Sequence, residues 1–109
     1  MADIQFVGIE NMDNEDANRI NEIAKKELEF VDRELKGVNN IKIHLKRHEI
    51  GGRVKWSAHL FIDWPNRKII DVESVNWDII KAVHEVIAKA KNHINHLLKK
   101  DTSYKKPYY

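Results

Sequence analysis

No cysteine occurs in the 109-residue sequence, so disulfides, thiolate metal sites, iron–sulfur clusters and cysteine nucleophiles are excluded by residue type alone. No uncharged apolar stretch approaches the roughly 18 residues that a membrane span needs. Met1-Ala2-Asp3-Ile4 is not a positive segment leading into an apolar one, so a cytoplasmic location with no membrane partner is the expectation. Phosphate-cradling glycine loops are missing too, because Gly51-Gly52 reads as a hairpin rather than a strand-to-helix turn. Serine is confined to Ser57, Ser74 and Ser103, none in a G-x-S-x-G setting, which leaves a hydrolase triad without support. His84-Glu85-Val86-Ile87-Ala88 opens like a zinc-protease helix but carries alanine where the second ligand belongs. His93 and His96 stand one helical turn apart with no third ligand indicated. No metal, cofactor, small-molecule substrate or enzymatic activity is expected.

What is present suits one globular domain, with 42% hydrophobic and 33% charged residues. The net charge of +2 conceals an asymmetry. Residues 1–37 carry five basic and ten acidic side chains, whereas residues 38–109 carry fourteen basic and seven acidic ones. Only the second part is electrostatically suited to phosphate.

Ile4 to Ile9 is a short apolar run ending in turn-forming residues and reads as a first strand. From Asp13, Ala17, Ile20, Ala24, Leu28, Val31 and Leu35 recur at spacings of three and four, which predicts one helix closed by Gly37. Ile41, Ile43 and Leu45 alternate with Lys42, His44, Lys46 and His48, giving a second strand with a basic or titratable outer face. Past Gly51-Gly52, Val54, Trp56, Ala58, Leu60 and Ile62 alternate with Lys55, Ser57, His59, Phe61 and Asp63 in a third strand. Pro65-Asn66 marks a turn into a fourth, with Ile70 and Val72 inward. Ser74 or Asn76 is the expected cap of a last helix, whose seam is Ile80, Val83, Ile87, Ala90, Ile94 and Leu97.

The predicted fold is therefore α+β, of order β-α-β-β-β-α: a four-stranded sheet with two helices on one face and the other face wet, like a double-stranded-RNA-binding domain. Residues 1–100 form the expected domain, and 101–109 an expected disordered tail.

Three surfaces are candidates for binding. At about 100° per residue, Lys81, Lys89, Asn92, His96, Lys99 and Lys100 share one side of the last helix, with Glu85 the one acid among them. They form either a solvated helix face or a phosphate-binding stripe. The second-strand ladder of Lys42, His44, Lys46 and His48 is open to the same two readings. Tyr104, Lys105, Lys106, Tyr108 and Tyr109 mix aromatic and basic groups as RNA-stacking segments do, or form a bland tail. Trp56 and Trp64 are assigned to core and turn contacts, and Asp71 and Glu73 to an ion-paired edge strand beside Arg67 and Lys68.

The run Asp78-Ile79-Ile80-Lys81-Ala82-Val83-His84-Glu85-Val86-Ile87-Ala88-Lys89 resembles the final helix of the ribosome hibernation-promoting factor and ribosome-associated inhibitor A family, also called sigma-54 modulation proteins. Pro65-Asn66 is similar to that family's turn before the last strand, and the order of elements agrees along residues 1–100. The resemblance implies a ribosome-binding inhibitor of translation that acts in stress by sitting on the small subunit, in the channel used by mRNA and tRNA. It implies rRNA contacts from Lys81, Lys89, Asn92, His96, Lys99 and Lys100 on the last helix and from Lys25, Lys26 and Arg33 on the first. Lys89 and Lys100 match basic positions of the family's helix, while Asn92 and His96 stand where further Arg and Lys are usual. A short, monomeric form is implied, with no catalysis. Two alternatives remain: a double-stranded RNA-binding module, and a protein-interaction domain that keeps the fold without rRNA affinity.

Overall fold

The computed structural model describes residues 3–35, 37–38, 40–64 and 68–103. Strand β1, Asp3–Val7, is shorter than the apolar run predicts, because Gly8 turns left-handed at φ 90 and a single 3-10 turn follows over Ile9–Asn11. Helix α1, Asn14–Glu27, carries Glu15 and Asp16 at its positive end and Lys25 and Lys26 in its last turn, each favourable to the helix dipole.

The predicted first helix is not continuous. It breaks at Leu28 (φ −94, ψ 4) and resumes as α2, Glu29–Glu34. No proline or glycine is involved. The Leu28 carbonyl accepts from Val31 N–H at 3.1 Å, the tightened bond of a 3-10 turn. Ala24, Leu28, Val31 and Leu35 are all buried across the break, so the same apolar seam serves both segments.

Strand β2, Asn40–Ile50, runs parallel to β1, with Ile4 opposite Ile41 and Phe6 opposite Ile43. The two-residue Gly51-Gly52 loop, φ 58 and 79, returns the chain as β3, Arg53–Trp64, antiparallel to β2 with Ile43 opposite Leu60. Strand β4, Lys68–Asn76, pairs antiparallel with β3, completing a mixed sheet of order β1-β2-β3-β4. The Pro65-Asn66 turn lies outside the described residues.

Helix α3, Ile79–Ser103, lies across β3 and β4 and against α1. Its cap is neither Ser74 nor Asn76, which belong to β4. Asp78 caps it instead, its carboxylate accepting from Ile80 N–H at 2.9 Å and Lys81 N–H at 3.3 Å, while Asn76 holds Asp78 N–H at 2.9 Å. The helix runs on through Ser103, and the rest of the expected tail, 104–109, lies outside the described residues.

One core lies between the helices and the sheet, built from Ile20, Leu28, Ile43, Leu60, Ile87 and Ile94 with their buried neighbours. The opposite sheet face is uncovered. At the hairpin end, Lys46 to Gly52 are exposed, so β2 and β3 extend beyond the helical cover.

Candidate nucleic-acid interface

The expected site residues fall on two sides of a helix–helix seam. His84 Nδ1 on α3 lies 3.0 Å from the Glu27 carboxylate on α1, and the Lys91 ammonium lies 5.3 Å from the Phe30 ring centroid on α2. These contacts mark the seam. Lys25 and Lys26 at the end of α1 and Arg33 on α2 are exposed on one side of it. Around them α1 and α2 expose Glu15, Glu22, Glu29 and Glu34, so this side remains acid-rich in space as in sequence.

On the other side, α3 exposes Lys81, Lys89, Asn92 and His96 along the flank that turns toward β4. Lys99 and Lys100 continue the helix, but their side chains lie outside the described residues. Two members of this flank are already engaged. Glu85 accepts from the buried Ser74 hydroxyl at 2.9 Å and from the Asn76 amide at 3.2 Å, tying α3 to β4. The Lys89 ammonium donates to the Glu73 carbonyl at 2.7 Å. Lys89, expected to point freely into solvent, thus covers an open backbone acceptor on the edge strand β4. The side chains of Lys81, Asn92 and His96 make no hydrogen bond or ion pair among the described residues, so they remain available to a phosphate.

The uncovered sheet face is the second basic surface. Lys42, His44, Lys46 and His48 follow one another along β2, and the register sets them beside Phe61, His59, Ser57 and Lys55 of β3. Asp71 of β4 pairs with His59; of its expected partners, Arg67 and the side chain of Lys68 lie outside the described residues. The His59 ring also stacks on Phe61 at 4.5 Å. Near the hairpin end the Arg53 guanidinium lies 4.1 Å, and the Lys55 ammonium 5.2 Å, from the centroid of the exposed Trp77 ring. This cation–aromatic group was not singled out from the sequence. Alternation puts Arg53 and Lys55 on one face, but only the β3–β4 register brings Trp77 beside them. Trp56 and Trp64 are half-buried against the core, as assigned.

At the far end of the same face, Asn40, Lys42, Phe61, Asp63 and Ile69 line an open depression of about 250 Å³. Among the described residues no group of three His, Cys, Asp or Glu side chains is placed to hold a metal ion. Among the described residues no helix is long and apolar enough to cross a membrane.

No protein-family model matches the sequence, and no curated protein does. Solved structures do resemble it. A ribosomal subunit interface protein from Coxiella burnetii superposes with a TM-score of 0.59 at 20% identity, over 86% of this chain and 94% of that one. The N-terminal domain of Protein Y from Thermus thermophilus gives 0.59 at 19% identity, over 88% of this chain and 97% of that one. The β-α-β-β-β-α architecture described above, four strands with helices on one face, is therefore the fold of these proteins.

Proposed function

We propose that this protein is a ribosome-associated inhibitor of translation that binds rRNA of the small subunit and occludes the channel used by mRNA and tRNA. The observation that carries the reading is the fold shared along most of the chain with a protein described as a ribosomal subunit interface protein. The exposed flank of α3 supplies a surface of suitable charge. Lys81, Asn92 and His96 donate to phosphate or sugar oxygens, and Lys99, Lys100 and Lys89 extend the row; Lys25, Lys26 and Arg33 contribute from the far side of the seam. The action is steric, by a cytoplasmic monomer, with no chemical step and no cofactor.

Sucrose-gradient sedimentation of the tagged protein from starved cells tests this. The expected result is association with small subunits or whole ribosomes, reduced at least about tenfold by Lys81→Glu with Lys100→Glu. A protein found only at the top of the gradient refutes the reading. The acid-rich surface of α1 and α2 favours a second one, a protein-interaction domain, which predicts a stable protein partner in pull-downs and no nucleic acid.

A further inference from the structure

We propose that the uncovered face of the sheet binds single-stranded RNA, with phosphates along β2 and bases over β3 and β4. This site lies on the layer opposite α3 and does not depend on ribosome association.

The face is graded in chemistry from strand to strand. On β2 its outward residues are Lys42, His44, Lys46 and His48, with no carboxylate in the row. Alternate residues of a strand stand about 6.7 Å apart, so the row presents a regular series of cationic or titratable groups to one extended backbone. The side chains of Lys42 and Lys46 make no hydrogen bond or ion pair among the described residues, so their charge is available.

Across β3 and β4 the character changes. Phe61 and Trp77 offer rings at opposite ends of the face, and Ile69 and Val75 are exposed beside them at 66% and 46%. Trp77 at 42% exposure is accompanied by Arg53 and Lys55, so a base on the indole brings its phosphate near two cations. Of the acids of the face, Asp71 and Glu73 lie on β4, one strand removed from the β2 row, while Asp63 on β3 stands opposite Asn40 and shares the Phe61 depression with Lys42. Phosphate is repelled there, whereas base N–H groups find acceptors. In the Phe61 depression, Lys42 supplies a donor and Asp63 an acceptor around an aromatic wall, the set of groups that reads the edge of an unpaired base. Paired bases cannot present their faces to such rings, which selects single strands.

The test is fluorescence anisotropy of the full chain with a short, fluorescein-labelled single-stranded RNA over a salt series. Lys42→Glu with Lys46→Glu is expected to weaken binding at least about tenfold. It should also make the slope of log K against log salt shallower by about 1.4, two contacts at about 0.7 each on a single strand. Trp77→Ala is expected to weaken binding at least about fivefold. Arg19→Glu, exposed on α1, is expected to leave it unchanged. All these positions are outside the core, and matching thermal melts establish that each variant is folded. Absence of binding by the parent chain overturns the proposal. So does affinity that survives Lys42→Glu with Lys46→Glu, or equal competition by duplex RNA of the same length.

Discussion

Replacing Gly8 by alanine perturbs the one place where β1 leaves the sheet against the backbone of β2. The residue has φ 90, and a Cβ built on it lies 2.1 Å from the Leu45 carbonyl oxygen and 3.1 Å from its carbon. Ordinary C···O contacts begin near about 3.3 Å, so the overlap exceeds an ångström. Neither atom belongs to a side chain that can rotate away. Leu45 is held in β2 opposite Ala58 of β3, and its own side chain is buried. Relief requires β1 or β2 to shift. Left-handed backbone costs a non-glycine residue about 1–2 kcal/mol, and forcing a packed interior to move costs about 1–3 kcal/mol. The sum, about 2–5 kcal/mol, is a large share of the roughly 5–15 kcal/mol that holds a domain folded. A melting temperature lower by on the order of 10–30 °C follows. Gly52→Ala separates the two terms, because Gly52 has φ 79 but nothing within 4 Å of its added Cβ. It should cost only the backbone part, about 1 kcal/mol. Urea unfolding followed by circular dichroism gives both values. A Gly8→Ala loss no larger than that of Gly52→Ala refutes the steric argument.

Two further substitutions probe the joints between layers. Leu28→Ala, at a residue 2% exposed, should cost about 2–5 kcal/mol through the cavity it leaves, although alanine is the better helix former; a urea midpoint near that of the parent chain contradicts a packed break. Glu85→Ala leaves the buried Ser74 hydroxyl without its acceptor and should cost about 1–3 kcal/mol, and adding Ser74→Ala should recover part of that loss, a coupling that a double-mutant cycle reads directly.

Local periodicity made most of the fold legible. Alternation identified the inward faces of β2 and β3, because a half-buried strand exposes every second residue whatever it pairs with. The spacing of Val83, Ile87, Ala90 and Ile94 marked the buried stripe of α3 for the same reason. The break at Leu28 left no trace in the pattern, since the buried spacings of three and four continue through it. Ser74 looked like a cap because serine often is one, yet its place inside β4 turns the hydroxyl to Glu85, eleven residues further on. Contacts that depend on register or docking were out of reach. The His59 and Asp71 pair, the Arg53 and Lys55 cations around Trp77, and the bond from Lys89 to Glu73 each join residues whose proximity is set by how two elements align.

The bond from Lys89 bears on which surface nucleic acid meets first. A lysine serving the edge of β4 must release the Glu73 carbonyl to reach a phosphate. That carbonyl can then bond water, so the exchange is cheap, but it removes pre-organisation from the centre of the α3 stripe. Lys42 and Lys46 on the sheet face carry no such obligation. The acid-rich exposure of α1 and α2 adds to the contrast, since it repels a long polyanion approaching across the helical layer and leaves the sheet face untouched. A ribosome-bound state held through α3 alone would therefore show a shallow salt dependence, set by the few cations on that flank. A steep dependence, by contrast, requires cations beyond α3, either Lys25, Lys26 and Arg33 of the helical layer or the β2 row, to be in contact as well.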